Sequence, residues 1–90
     1  TMRFGNTGRK VTELQEKLVY LDYLTPDNIT GHFGINTQTA ITDFQTANNL
    51  KVLGIANMET QTLLNRFYEE KRYRDADAWS VAEEDEDFFE

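Results

Sequence analysis

Apolar residues recur three and four positions apart in three stretches of this chain, and that spacing predicts three amphipathic helices. We place the first helix at about 9–21, the second at 35–48, and the third from about residue 57 to residue 73. The apolar stripes expected to face a shared core are Val11, Leu14, Leu18 and Leu21, then Ala40, Ile41, Phe44 and Ala47, and finally Leu63, Leu64 and Phe67.

A glycine-led pattern occurs twice and joins these helices. It reads Gly31-x-x-Gly34-x-x-Thr37-x-x-Ala40-Ile41-x-x-Phe44 in the first copy and Gly54-x-x-Asn57-x-x-Thr60-x-x-Leu63-Leu64-x-x-Phe67 in the second. A shorter echo, Val11-x-x-Leu14-Gln15, matches Ile41-x-x-Phe44-Gln45. Repetition of a loop followed by a short helix indicates units that cover one another's apolar faces. We therefore predict an all-α fold, a compact three-helix bundle with two glycine-containing loops and an acidic C-terminal extension.

Charge is distributed unevenly along the chain and separates a helical domain from that extension. Residues 1–74 contain nine basic and eight acidic side chains (9 − 8 = +1), whereas residues 75–90 contain eight acidic side chains and no basic one. Blocks of like charge repel themselves, so we expect residues 75–90 to be flexible unless bound. Trp79, Phe88 and Phe89 are large apolar side chains of the kind that anchor interfaces, which makes them candidate partner-binding residues.

Several classes of function lack the residues that they need. No basic stripe is present to displace counterions from nucleic-acid phosphates, and no apolar run approaches the roughly 18 residues that span a bilayer. The chain has no cysteine and a single histidine, His32, so we predict neither a metal site nor a cofactor. Its acidic residues fall on the predicted solvent faces, without the paired placement that glycoside hydrolysis requires. We therefore predict that the chain is not an enzyme.

A longer ordered series of residues resembles a known family. Gly8-x-x-Val11-x-x-Leu14-Gln15-x-x-Leu18-x-x-Leu21-x-Tyr23 is followed by Gly31-x-Phe33-Gly34-x-x-Thr37-x-x-Ala40-Ile41-x-x-Phe44-Gln45, and then by Leu50, Gly54 and Thr60. Over about residues 3–68 this series resembles the peptidoglycan-binding-like domain, a small three-helix module of bacterial and phage cell-wall hydrolases. The pro-segment of matrix metalloproteinases has a related fold, but it requires a cysteine to cap the catalytic zinc, and this chain has none.

The resemblance implies a non-catalytic module that binds peptidoglycan or a muropeptide, located outside the cytoplasm at the cell wall if the source is bacterial. It also implies a ligand groove between the first glycine loop and the adjoining helices, with Tyr23, His32, Gln45 and Asn57 as candidate ligand-binding residues. The Tyr23 ring offers an apolar face with a hydroxyl at its edge, which suits a sugar. The Gln45 amide has an alternative role, shared with Gln15, in bonding the backbone of a nearby loop.

The chain also departs from the family pattern. The family usually has glycine, aspartate, aspartate and glycine at the positions that are here occupied by Asp22, Thr30, Leu53 and Asn57. Both loop aspartates are therefore missing from the loops that shape the implied groove. Together with the acidic extension, this leaves a second function open: a protein–protein interaction module in a larger plastid or phage assembly, which would use residues 75–90.

Overall fold

The computed structural model describes the backbone of residues 1–88 and the side chains of residues 1–76. Three α-helices follow one another along the chain, with a 3-10 turn at Pro26–Asn28 after the first. They are α1 (Arg9–Tyr20), α2 (Ile35–Ala47) and α3 (Met58–Phe88). Within residues 1–88, β-structure amounts to two isolated bridges. The predicted all-α, three-helix fold is therefore confirmed.

Helices α1 and α2 end in the same way, with one residue in the left-handed conformation. After α1, Asp22 has a φ of 70°, and the N–H of Tyr23 reaches back to a carbonyl of the last turn at 2.8 Å. After α2, Asn49 has a φ of 59°, and the N–H of Leu50 does the same at 2.9 Å. This arrangement is a common helix stop. Each helix ends one residue before its predicted limit.

One apolar core lies between the three helices and is supplied mainly by the predicted stripes. Its buried members are Val11, Leu14, Leu18, Phe33, Ala40, Ile41, Phe44, Ala56 and Leu64. The rings of Tyr23, Phe44 and Phe67 pack edge to face in a line, at centroid spacings of 5.4 and 6.1 Å, with Phe44 fully buried in the middle. The expectation that Ala47 faces the core is wrong, because α2 ends at this residue and its side chain is exposed.

The segment before α1 crosses both glycine loops, which helical periodicity does not predict. Met2 forms an antiparallel bridge with Ala56 in the second loop, with N–H to carbonyl distances of 3.1 and 2.7 Å. Thr7 forms a similar bridge with His32 in the first loop. Because one extended segment pairs with both loops, backbone hydrogen bonds hold the two repeats together on this face.

Helix α3 continues to Phe88, beyond its predicted limit at residue 73 and across the predicted domain boundary after residue 74. The part that follows the core is fastened to the end of α1. The Lys71 ammonium donates to the Tyr20 carbonyl at 2.9 Å, and the Tyr20 hydroxyl donates to the Asp75 carboxylate at 2.6 Å. A cation at the last carbonyls of a helix is favourable, because it opposes the negative end of the helix dipole.

The candidate partner-binding side chains of Trp79, Phe88 and Phe89 lie outside the side chains that the structure describes. Their role therefore stays a prediction, as does the predicted flexibility of residues 75–90.

Candidate ligand-binding grooves

A buried glutamine of α1 organises the first glycine loop. Gln15 Oε1 accepts hydrogen bonds from the backbone N–H groups of Thr30 and Gly31, each at 2.9 Å. Its Nε2 donates to the His32 carbonyl and to the Thr37 hydroxyl, again at 2.9 Å each. One side chain therefore satisfies donors and acceptors of the loop and ties the loop to the first turn of α2.

A second glutamine, Gln45 of α2, organises the second loop with the same set of bonds. Its Oε1 accepts from the N–H groups of Leu53 and Gly54 at 3.0 and 3.2 Å. Its Nε2 donates to the Ile55 carbonyl at 2.9 Å and to the Thr60 hydroxyl at 3.0 Å. The sequence repeat is thus also a repeat of hydrogen bonding. In each copy a glutamine bonds the backbone around a glycine and the hydroxyl of the threonine that lies six residues after that glycine.

Burial decides between the two roles considered for these glutamines. Gln15 and Gln45 are both fully buried, and the hydrogen bonds described above use both amide protons and both acceptor sites of each side chain. Gln45 has no accessible atom to offer a ligand, which removes it from the candidate contact residues. Its role in this structure is to position the second loop.

A cleft, which we call groove one, opens between the turn after α1 and the first half of α2, with a volume of about 280 Å³. The candidate residue Tyr23 lines it. The other lining residues are Asp22, Leu24, Thr25, Asn28, Asn36, Thr39 and Ala40. The half-buried Tyr23 ring lies edge-on against the buried Phe44, so packing fixes its orientation.

Polar side chains of groove one are linked in a hydrogen-bonded chain. Asn36 Nδ2 donates to Asn28 Oδ1 at 2.9 Å, and Asn28 Nδ2 donates to Thr25 Oγ1 at 2.7 Å. A hydrogen bond with the Thr25 hydroxyl, helped by the backbone of the acid itself, holds the pKa of neighbouring Asp27 below its usual value. Asp22 is the charged residue of the lining, which includes no cation. Groove one therefore combines amide and hydroxyl groups with negative charge at its edge.

Two of the predicted contact residues lie away from groove one. His32 is exposed in the first loop, where its carbonyl is bonded to Gln15 and its N–H to the Thr30 hydroxyl. Asn57 caps α3, because its Oδ1 accepts a hydrogen bond from the Thr60 N–H at 3.0 Å. The structure therefore places neither residue with Tyr23 in groove one.

Sequence reasoning missed Asn28, Asn36 and Thr39 as residues of this groove. Asn28 belongs to a turn, Thr25-Pro26-Asp27-Asn28, whose composition is a recognisable turn signal. Asn36 and Thr39 are solvent-face positions of a helix, and no local signal distinguishes them from other polar helix residues. Tertiary structure brings the turn and the helix together.

A second cleft, which we call groove two, lies between the loop after α2 and the first half of α3, with a volume of about 370 Å³. Its lining residues are Leu50, Glu59, Thr62, Leu63 and Arg66. Leu50 and Leu63 are half-buried and pack against the core. Arg66 Nε donates to the Glu70 carboxylate at 3.2 Å one turn further along the helix. Groove two thus has an apolar floor and a charged edge.

A third cleft of about 220 Å³ separates α1 from α3. Its walls carry charges of both signs, from Lys10, Glu13 and Lys17. The Lys17 ammonium donates to Asn65 Oδ1 at 2.6 Å, which ties the two walls together.

Among the described side chains, no three His, Cys, Asp or Glu residues are grouped so that they could hold a metal ion. No helix in the described part of the chain contains a stretch long and apolar enough to cross a membrane.

Residues 7–68 match the family model described as "Putative peptidoglycan binding domain". The chain belongs to this family. A solved structure, the N-terminal domain of SleB, is similar to it with a TM-score of 0.71 and 33% sequence identity. That similarity covers 74% of this chain and 90% of the SleB domain. No curated protein matches the chain.

The ordered series of residues indicated a resemblance to the peptidoglycan-binding domain, and that prediction is confirmed. The matched region contains both glutamine-held loops and every residue that lines grooves one and two. The contacts of Lys71 and Asp75 with α1 lie beyond the matched region, so they belong to the part of α3 that extends past this peptidoglycan-binding domain.

Proposed function

We propose that this peptidoglycan-binding domain acts as a non-catalytic module and that groove one binds the cell-wall polymer. The observation that carries the proposal is the combination, in one open cleft, of the Tyr23 ring with the hydrogen-bonded chain of Asn36, Asn28 and Thr25. Sugar and peptide units present hydroxyl and amide groups beside apolar faces. Amides and hydroxyls of the protein bond the first, and a fixed aromatic ring covers the second.

The composition of groove one supports binding without catalysis. Glycoside hydrolysis uses two carboxyl groups, about 5–9.5 Å apart, one of which has a raised pKa. Asp22 is the carboxylate among the described residues that line the groove, and the neighbouring Asp27 has a lowered pKa. A lowered pKa is the opposite of what a general acid needs at neutral pH.

The test is co-sedimentation of the purified protein with insoluble cell-wall sacculi. Thr39 is exposed, lines groove one and bonds only its own helix, so Thr39→Lys should fill the groove without disturbing the core. Thr46→Lys adds the same charge at another exposed position of α2 and serves as the matched control. We expect wild type and Thr46→Lys to pellet with sacculi and Thr39→Lys to remain in the supernatant. Equal pelleting of the two variants would contradict the assignment of groove one.

A second candidate function is a protein–protein interaction made by the C-terminal extension. Two observations favour it: α3 continues past the region matched to the family, and residues 75–90 carry eight acidic side chains and no basic one. In this reading Trp79, Phe88 and Phe89 anchor a partner. A variant that ends after residue 76 keeps the hydrogen bond between Tyr20 and Asp75 and keeps groove one, but it lacks the proposed partner-binding residues. It therefore distinguishes the two functions. It should pellet with sacculi as wild type does if groove one is sufficient, whereas loss of pelleting would assign binding to the extension.

A further inference from the structure

Grooves one and two are the same site in two copies of the repeat. The two loops align with an offset of 23 residues, since Gly31 corresponds to Gly54 and Thr37 to Thr60. At that offset, the α2 residues that line groove one coincide with α3 residues that line groove two. The pairs are Asn36 with Glu59, Thr39 with Thr62, and Ala40 with Leu63.

The opposite walls of the two grooves correspond as well. The N–H of Tyr23 follows a left-handed residue and bonds the Leu18 carbonyl at 2.8 Å. The N–H of Leu50 also follows a left-handed residue and bonds the Gln45 carbonyl at 2.9 Å. Tyr23 and Leu50 therefore occupy the same place after their helices, and each lines the groove of its own repeat.

The two copies differ in chemistry although they share a scaffold. Where groove one has Tyr23 and Ala40, groove two has Leu50 and Leu63, which form an apolar floor. Groove two also carries Glu59 and Arg66, seven residues apart on α3. Seven residues of helix place their Cα atoms roughly 10 Å apart along the helix axis, so the two charges stand at opposite ends of the groove.

We propose that groove two binds the peptide stem of peptidoglycan, a short peptide that carries methyl groups, an amine and a terminal carboxylate. This inference rests on the proposed function. Its basis is charge complementarity: the amine is bound near Glu59 and the carboxylate near Arg66, at opposite ends of the groove's lining on α3. The Nε of Arg66 donates to Glu70, and a guanidinium has further N–H donors for a ligand carboxylate. Leu50 and Leu63 cover the alanine methyl groups between them.

The position of groove two relative to groove one supports a shared ligand. Tyr23 of groove one and Phe67, which follows Arg66 on α3, both pack edge-on against the same buried ring of Phe44. The turn that carries Tyr23 and the helix that carries groove two therefore pack on one buried ring. In this proposal the sugars of the polymer lie in groove one and the attached peptide lies in groove two.

The test is titration of the isotope-labelled protein with N-acetylated L-alanyl-γ-D-glutamyl-L-lysyl-D-alanine, followed by the backbone amide signals. We expect shifts at Leu50, Thr62 and Leu63, and affinity lower by about tenfold in Arg66→Gln, the loss expected for one charge-assisted hydrogen bond. The same peptide with an amidated C-terminus should bind wild type as weakly as the acid binds Arg66→Gln. Glu69→Gln, an exposed substitution on the same helix outside the groove, should bind the acid as wild type does.

Three results would overturn the inference: no shifts, shifts that map to groove one, or equal affinity for the acid and the amide. If wild type pellets with sacculi and Thr39→Lys does not, any of these results refutes the peptide site and leaves the proposed function standing. If the wild-type protein does not pellet with sacculi, the proposed function is refuted by the sedimentation test alone, whatever the peptide titration shows.

Discussion

Replacement of the buried, uncharged Gln45 by leucine should destabilise the whole domain. Gln45→Leu nearly preserves the volume of the side chain and removes its four hydrogen bonds. The groups that lose their partner are the N–H of Leu53, the N–H of Gly54, the carbonyl of Ile55 and the hydroxyl of Thr60. The N–H of Gly54 cannot turn to water without moving this residue, which is itself buried.

The magnitude follows from the groups that are left unpaired. A buried donor or acceptor without a partner costs roughly 1–3 kcal/mol. The bonds to Gly54 and Thr60 are buried, those to Leu53 and Ile55 are partly buried and cost less to break, and the greater apolarity of leucine offsets part of the total. We expect the free energy of unfolding to fall by about 3–5 kcal/mol. A 90-residue chain has a total stability on the order of 5–13 kcal/mol, so the variant should be close to half unfolded in mild denaturant.

Urea unfolding followed by far-ultraviolet circular dichroism measures this loss, and Gln61→Leu is the matched control. Gln61 lies on α3, is half-buried and makes one side-chain hydrogen bond, to the Ala56 carbonyl. The control should cost about 1 kcal/mol or less, while Gln15→Leu should cost at least as much as Gln45→Leu, because four of the Gln15 bonds are equivalent to those of Gln45. If Gln45→Leu costs no more than Gln61→Leu, then the glutamine does not hold the second loop.

Three further changes test other parts of the structure. At the left-handed position after α1, Asp22→Gly should be more stable to urea than Asp22→Ala by about 1 kcal/mol, because glycine adopts a φ of 70° without steric cost. Gly31→Ala should lower the free energy of unfolding by about 1–2 kcal/mol, because φ is 80° and the new Cβ would meet the Thr12 hydroxyl at 3.0 Å. The hydrogen bond to Asp75 raises the pKa of Tyr20 above 10.0, so the stability that it contributes is present below pH 10 and is lost as the pH rises through the raised pKa. The difference in stability between wild type and Tyr20→Phe should therefore vanish in strongly alkaline urea titrations, and a difference that persists there would refute the assignment.

The helices were predictable because their signals are local. Spacing of apolar residues gave α1 and α2 to within one residue at their C-terminal ends, and the capping amide of Asn57 marked the start of α3. The end of α3 was not predictable in this way. The described part of α3 beyond residue 70 contacts the end of α1 through Lys71 and Asp75, and both contacts are made to Tyr20, more than 50 residues away in sequence.

The bridges of the N-terminal segment were beyond sequence reasoning for a similar reason. Met2 and Ala56 pair through backbone atoms, so neither side chain indicates which residues will pair. The sequence left two roles open for Gln15 and Gln45, namely bonding to loop backbone or contact with a ligand. A glutamine next to an apolar residue can be buried or exposed, and the sequence does not say which. Burial distinguished the roles, and burial is a property of the assembled helices.

The repeat explains why the candidate contact residues were the weakest part of the sequence prediction. Residues that hold the loops, such as Gln15, Gly31 and Thr37, recur because each copy of the loop needs the same hydrogen bonds. Side chains that line the grooves take no part in the hydrogen bonds of the two buried glutamines, so the two copies are free to differ there, as Ala40 and Leu63 do. A search for repeated positions therefore finds the scaffold and passes over the ligand surface. The groove-lining positions differ between the two copies, although the scaffold is shared. These differences are the basis for proposing that the two grooves bind chemically different ligand groups.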